Sequence, residues 1–403
     1  MKRRRVKITG IGPVTPAGIG REAFWQGLLE PVSRIRPYKK IDEEFGPFIA
    51  GYVDKFDASK YVNRSLIPNG AARHTLFAVA GAALALQDAG IGLEAVRGQE
   101  CVVYTGTSVM DFEGINRGEQ SVFKRGLRGV QPRLVFSTHV ASVATTIMEV
   151  LGLKGQALAL QSSCCGGLDA IGFGAEQVAT GEADLAICGG TEAPLFKHPL
   201  LELRGSGLTP PTTDRPHQQD RPFDLWRTTG VVSEGACLVV LEPENSPRRG
   251  YSFVRGYANA HDDSIGLCGG LERSIKLALA NGGLHPRDIE VINAWGPGHR
   301  IIDAAEARVL QAVFGDELPQ KAVVSIKGAI GNALAAAPAI QVGVAALAQR
   351  DGLLPPTVNF QDADPQCPLN LKAGPWTLAH DLTLVNSHGL SGMNSNLILE
   401  RCT

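Results

Sequence analysis

Apolar residues recur along the chain in two rhythms. Short β-branched runs end in glycine or turn residues: VKITGIG (6–12), CVVYTGT (101–107), ALALQSS (157–163), DLAICGG (184–190) and ACLVVLE (236–242). Between them, at 70–89 and 137–151, apolar positions return about every 3.6 residues, the spacing of a helix with one buried face. The alternation then repeats. VINAWG (291–296), AVVSIKG (322–328), LTLVNSHG (382–389) and NLILER (396–401) read as strands, with helices over 272–280, 303–314 and 332–350. Nearly continuous apolar strands separated by helices predict sheets covered on both faces, an α/β class. The polar, Pro-rich stretch LTPPTTDRPHQQDR (208–221) reads as a surface loop. The segment ENSPRR (244–249) links two halves, 1–245 and 246–403.

Composition narrows the function classes. Of 403 residues, 44% are hydrophobic and 20% charged; 39 Lys and Arg balance 40 Asp and Glu. Such a balance provides no global field for nucleic acid or an anionic membrane. The basic start (2–5) runs into VKITGIG without the apolar stretch of about 7–15 residues that marks a signal peptide. No run reaches the roughly 18 apolar residues of a membrane span. The nearest, 331–349, is interrupted by Asn332, Pro338 and Gln341 and reads as a buried helix. Eight cysteines are scattered except for the pair Cys164–Cys165, with no CxxC and no Cys/His cluster at zinc spacing. A disulfide framework and a metal site are therefore not expected, and a reducing cytoplasm fits. GIGPVTPAG lacks the G-x-G-x-x-G register of a dinucleotide site.

The cysteine pair lies in LQSSCCGGLDAIG (160–172), read as strand, tight turn, helix. A thiol at that junction meets the free N–H groups and positive dipole end of a helix, which favour thiolate and lower its pKa. Gly166 and Gly167 allow close backbone approach.

The longer stretch SSCCGGLDAIGFGAEQVATGEADLAICGGTEA (162–193) resembles the active-site segment of the β-ketoacyl-acyl-carrier-protein synthases. With Cys164 on that family's nucleophile, Gly167, Ala170, Ile171, Gly172, Ala183, Asp184, Gly189, Gly190 and Glu192 align without a gap. VKITGIGPVTPAG, LALQDAG (84–90), RPFDLWRTTGVVSEGACLVVLE (221–242) and NSHGLSGMNSNLIL (386–399) extend the resemblance over essentially the whole chain. The resemblance implies a thiolase-like fold: a dimeric, five-layered αβαβα sandwich of two pseudo-related halves. It implies acyl transfer from acyl carrier protein to cysteine, then decarboxylative condensation assisted by two histidines. No cofactor is bound; the phosphopantetheine arm of the carrier protein brings the substrate.

Several positions depart from the family pattern. The family's H-G-T-x-T…D-x-x-E appears as WGPGHRIIDAAE (295–306): Trp295 holds the first histidine position, and Pro297 and His299 replace two threonines. Indole can neither accept a hydrogen bond nor carry a catalytic proton. His299 is a candidate replacement base. The second histidine position holds Asn332, whose NH2 can still donate to an enolate oxygen. Lys327 and Glu306 resemble the buried pair that braces the site. In NSHGLSGMN, His388 and Leu390 replace two phenylalanines while Gly389, Gly392 and Asn394 remain. Leu390 then offers a backbone N–H to an oxyanion and a smaller gate; His388 is either a displaced base or a structural histidine. Val231 gives a smaller lining than the usual aromatic, and the segment after Asp263 is shorter than in typical synthases. Cys165 reads as helix packing. Lys124, Arg125 and Arg128 form a solvated loop or a contact for an acidic carrier protein.

The sequence thus predicts a ketosynthase-like acyltransferase loading Cys164, with Cys-Trp-Asn in place of Cys-His-His. The alternative is a non-condensing, chain-length-factor-like subunit beside an active ketosynthase. Homodimer and heterodimer are both open; nucleic acid and membrane insertion are not expected.

Overall fold

The β-branched runs become strands of one mixed sheet in the computed structural model, which describes residues 3–41, 43–212, 214–263 and 268–402. Its ten main strands are β1 (Val6–Thr15), β2 (Glu100–Gly106), β3 (Lys154–Leu160), β4 (Ala186–Glu192), β5 (Gly235–Pro243), β6 (Ser252–His261), β7 (Val291–Asn293), β8 (Ala322–Val324), β9 (Leu382–His388) and β10 (Met393–Arg401). They lie in the order β8-β7-β9-β10-β6-β1-β5-β4-β2-β3.

That order contains an internal repeat. Counted within each set of five, β1–β5 and β6–β10 both run 3-2-4-5-1 from the outer edge inward. In both, the two outer pairings are parallel and the two inner ones antiparallel. The sets meet only where Lys7 pairs with Phe253 and Ile8 with Ser252.

Helices complete the layers. Between the two sets lie α4 (Gly166–Thr180) and α7 (Ala337–Asp351), each touching strands of both. The α7 sequence APAIQVGVAALAQRD is apolar around most of its circumference, as a helix covered on all sides must be, and it is buried from Ala337 to Gln349. On one outer face, α1 (Arg73–Asp88) and α3 (Ser142–Leu151) cover the first set; on the other, α5 (Gly269–Gly282) and α6 (Arg300–Phe314) cover the second. The five layers and the thiolase-like repeat implied by the resemblance are therefore present. Among the described residues no helix is long and apolar enough to cross a membrane.

Element boundaries differ from the periodicity in places. The run at 157–163 stops pairing at Leu160 because the chain turns there into Ser163–Cys165. The helix expected from 332 begins at Ala337, after two short turns at Lys327–Ile330 and Leu334–Ala336. Among the elements the periodicity does not predict are strand β6 and α2 (Phe112–Arg125), an amphipathic helix between β2 and α3.

Candidate active site

The end of β3 and the start of α4 place the thiol. The chain reverses through a single turn, Ser163–Cys165, with Ser163 at φ +54° in the left-handed region. A non-glycine residue there costs about 1–3 kcal/mol and persists only where surroundings over-determine it. Those surroundings are close. A Cβ on Gly106 would fall 2.0 Å from the Gly166 carbonyl carbon, and one on Gly167 would fall 2.4 Å from the Ala335 carbonyl oxygen. A strap following β9 closes over the other side: a Cβ on Gly389 would sit 2.9 Å from Ser163 Cβ. Ser387 Oγ donates to the Cys164 carbonyl (3.4 Å).

Cys164 is buried, and burial, together with the carboxylate of Glu192, pushes its thiol up to about 11. Ser163, the Leu390 N–H and Lys327 act in the opposite direction without overcoming it. The lowered pKa expected for a helix terminus is thus not found, because desolvation outweighs the local donors. Cys165, also buried, points its Sγ to the Met393 carbonyl (3.3 Å) and belongs to packing.

Glu192, at the end of β4, accepts from Thr107 Oγ1 (3.0 Å), Ser108 N (2.8 Å), Ser108 Oγ (2.5 Å), Val109 N (3.1 Å) and Ala335 N (3.4 Å). It ties the loop after β2 to the turn before α7, and burial raises it to about 7.

Trp295 follows β7. Its backbone N–H and that of Gly296 donate to Glu306 on α6 (2.9 and 2.8 Å), and Asn386 Nδ2 donates to the same carboxylate (3.0 Å). Lys327 is fully buried, yet its Nζ donates to Gln341 Oε1 on α7 (2.8 Å). The two are therefore not a direct ion pair: among the described residues no Lys327–Glu306 contact lies within salt-bridge distance. Glu306 is satisfied by three N–H donors and Lys327 by a neutral amide. Burial lowers Lys327 to about 8, with Glu306 and Asp220 opposing the fall.

Asn332 is fixed by its backbone, donating to the Val231 carbonyl (2.7 Å) and accepting from Ser233 N (2.8 Å). Its Oδ1 accepts from Leu334 N (3.2 Å), which leaves the NH2 as the end open to a ligand oxygen. His299 does not serve as the replacement base. Its Nδ1 accepts from Ile301 N (3.3 Å) and Ile302 N (3.4 Å), capping α6, so the neutral ring carries its proton on Nε2. Burial and Arg227 lower its pKa, which keeps it neutral.

Cys164, Trp295, Asn332, Val231, Leu390 and His299 converge on a narrow cavity of about 30 Å³. Lys327, Glu306, His388, Gly389 and Asn394 stand behind this lining rather than in it. Leu390 is half exposed at the mouth, as a gate requires. Lys124, Arg125 and Arg128 are exposed at the end of α2 and the turn after it. The shortened segment after Asp263 falls at 264–267, outside the described residues.

Sequence reasoning missed Gln341, which holds Lys327 and also donates to the Asn293, Ala294 and Asn386 carbonyls. Its one signal was a polar residue interrupting an apolar run. Asp303, recognised in the D-x-x-E pattern but given no role there, is buried, accepts from Phe223 N (2.7 Å) and His299 N (3.1 Å) and holds the loop between β7 and α6.

Two family models match the chain: "Beta-ketoacyl synthase, N-terminal domain" over residues 3–246, and "Beta-ketoacyl synthase, C-terminal domain" over residues 251–361. The chain is 29% identical to 3-oxoacyl-[acyl-carrier-protein] synthase 2 of Coxiella burnetii, over 100% of this chain and 99% of that protein. It superposes on the ishigamide ketosynthase/chain length factor with TM-score 0.92 and 28% identity, each chain covered in full. A type II polyketide ketosynthase in complex with its acyl carrier protein superposes with TM-score 0.90 and 25% identity, again covering both chains in full.

Proposed function

Because the chain belongs to the β-ketoacyl synthase family, we propose that it takes an acyl chain from an acyl carrier protein as a thioester on Cys164. The phosphopantetheine arm of the carrier delivers the chain. The observation that carries this reading is the placement of Cys164: an apolar cavity lies in front of it, and Leu390, whose backbone N–H favours the thiolate, lines the same cavity. A backbone N–H held rigidly at the reacting centre stabilises the oxyanion of acyl transfer.

The chemistry after loading is altered. Decarboxylative condensation is weak, because Trp295 supplies only a donor where the family has an ionisable imidazole, and Asn332 likewise only donates from its free end. The protein works in fatty acid or polyketide synthesis, where its relatives belong. Eight free cysteines fit a reducing cytoplasm.

Mass spectrometry of the protein after incubation with an acyl-acyl-carrier-protein tests this. A mass increase on wild type and none on Cys164→Ala is expected. An absent adduct, or equal labelling of both proteins, refutes it.

One observation favours a second reading, a non-condensing subunit paired with an active ketosynthase. The cavity beside Cys164 is far smaller than an acyl chain, and a structural neighbour is a ketosynthase/chain length factor. Under that reading the protein co-purifies with a Cys-His-His synthase and Cys164→Ala leaves the activity of the complex intact.

A further inference from the structure

The space in front of Cys164 is short. The cavity measures about 30 Å³, and a single water needs about 10–15 Å³ of such a space. It therefore holds roughly two water-sized groups, such as the carbonyl and the methyl of an acetyl group. On its other side the Cys164 turn is covered by protein. Ser387 Oγ meets the Cys164 carbonyl (3.4 Å), and a Cβ on Gly389 would lie 3.3 Å from Cys164 N. An acyl group bonded to the sulfur thus enters the cavity that Cys164 lines.

The walls of that cavity are held in place. Trp295, the bulkiest residue in the lining, is 2% exposed. Its indole packs on the buried His388 ring, 4.9 Å from centroid to centroid at 59°. His388 is fixed in turn by Asn394, Nδ1 to Oδ1 at 2.6 Å. The backbone N–H groups of Trp295 and Gly296 donate to Glu306 (2.9 and 2.8 Å), and a Cβ on Gly296 would fall 2.5 Å from the Phe223 ring. Val231 donates its N–H to Asp220 Oδ2 (3.2 Å), and its carbonyl accepts from Asn332 N (2.7 Å). Leu334 stands at φ +47° and donates its N–H to Asn332 Oδ1 (3.2 Å). A leucine persists in that region only where its surroundings hold it. Walls packed this way answer an extra methylene with strain rather than by yielding. Leu390 is half exposed and can move, but it stands at the mouth, where the carrier's arm has to pass.

We propose that Cys164 takes a two-carbon acyl group, acetyl, from its carrier, and that Trp295 sets this limit. The inference rests on the loading of Cys164 proposed above and names its substrate. In the step, the Cys164 sulfur bonds the acetyl carbonyl carbon, and the C–S bond to the phosphopantetheine arm breaks. The proton that leaves Cys164 passes to the departing sulfur. Acetyl-enzyme and free carrier thiol result, with no other reactant. A butyryl group would press two further carbons against the wall of Trp295, Val231 and Leu334. Indole is much larger than imidazole, so the residue that removes the family's first histidine also shortens the site.

The test compares initial rates of Cys164 adduct formation, read by mass spectrometry, from acetyl-, butyryl- and octanoyl-acyl-carrier-protein. Wild type is expected to load acetyl, to load butyryl about 10- to 100-fold more slowly, and octanoyl more slowly still. Trp295→Ala should raise the butyryl-to-acetyl ratio about tenfold. Trp295→Phe, which keeps a ring in the buried site, should raise it about threefold. Each ratio is taken within one protein, so partial loss of fold cancels. An unchanged ratio in either variant, while it still loads acetyl, overturns Trp295 as the limit. A wild type that loads octanoyl as fast as acetyl overturns the size limit and leaves Cys164 loading intact. No adduct from any of the three carriers overturns the loading itself.

Discussion

The thiol of Cys164 sits in a place that both prepares and restrains it. The Leu390 N–H and Lys327 favour the anion, but burial and Glu192 hold its pKa up to about 11. Thiolate is the nucleophile, so the rate of alkylation at Cys164 should climb about tenfold per pH unit from neutrality and level off near pH 11. Mass-resolved iodoacetamide labelling checks this; a rate already flat at about pH 8, below the ordinary thiol value, would show an activated thiolate instead. Trp295 is the second decisive residue. Trp295→His should raise malonyl-thioester decarboxylation, since imidazole can accept and carry a proton where indole only donates. The lost volume in a buried site should lower stability by less than about 3 kcal/mol. Decarboxylation unchanged in a folded variant would place the block elsewhere in the site.

At the scale of elements, the site is a meeting of loops pinned by buried carboxylates. Glu192 accepts five hydrogen bonds and joins the loop after β2 to the turn before α7. Every partner is a donor, so an amide NH2 on either side must face another N–H or O–H. Glu192→Gln should therefore destabilise by about 1–3 kcal/mol despite its nearly identical shape, read as a fall in thermal midpoint. A midpoint equal to wild type would mean the carboxylate is dispensable. This pinning explains what the sequence could and could not tell. Continuous runs such as ACLVVLE announced buried strands directly. Strand β6, SFVRGYANAH, did not: Arg255, Gly256 and Asn259 break its apolar character, and its strand form rests on pairing with β10. The α2 helix is amphipathic but largely polar and exposed, so its few apolar residues do not announce a buried face. Cys164 was legible because its turn uses glycine in a recognisable order. The partners of Lys327, and the cap made by His299, were not, because they depend on which groups tertiary packing leaves unmatched.

The whole molecule leaves one edge of its sheet open. β3 ends the ten-strand path, and its residues from Lys154 to Leu158 are exposed, on both faces of the strand. An uncovered edge strand of an α/β sheet is a ready template for pairing with another chain. The apolar surface elsewhere points the same way: Phe123 is 92% exposed, Leu127 90% and Phe136 75%. Large exposed apolar groups of this kind mark interaction surfaces rather than monomer faces. The chain should thus assemble as a dimer, with itself or with a second ketosynthase subunit, through β3 and the 123–136 segment. Sedimentation of the purified chain, alone and co-expressed with a Cys-His-His synthase, distinguishes the two assemblies. Phe136→Asp, at a position that supports no core in the single chain, should halve the sedimenting mass and change the stability of the subunit's own fold by no more than about 0.5 kcal/mol. A wild-type chain that sediments as a monomer in both settings would refute the assembly and leave the open edge to be covered in some other way.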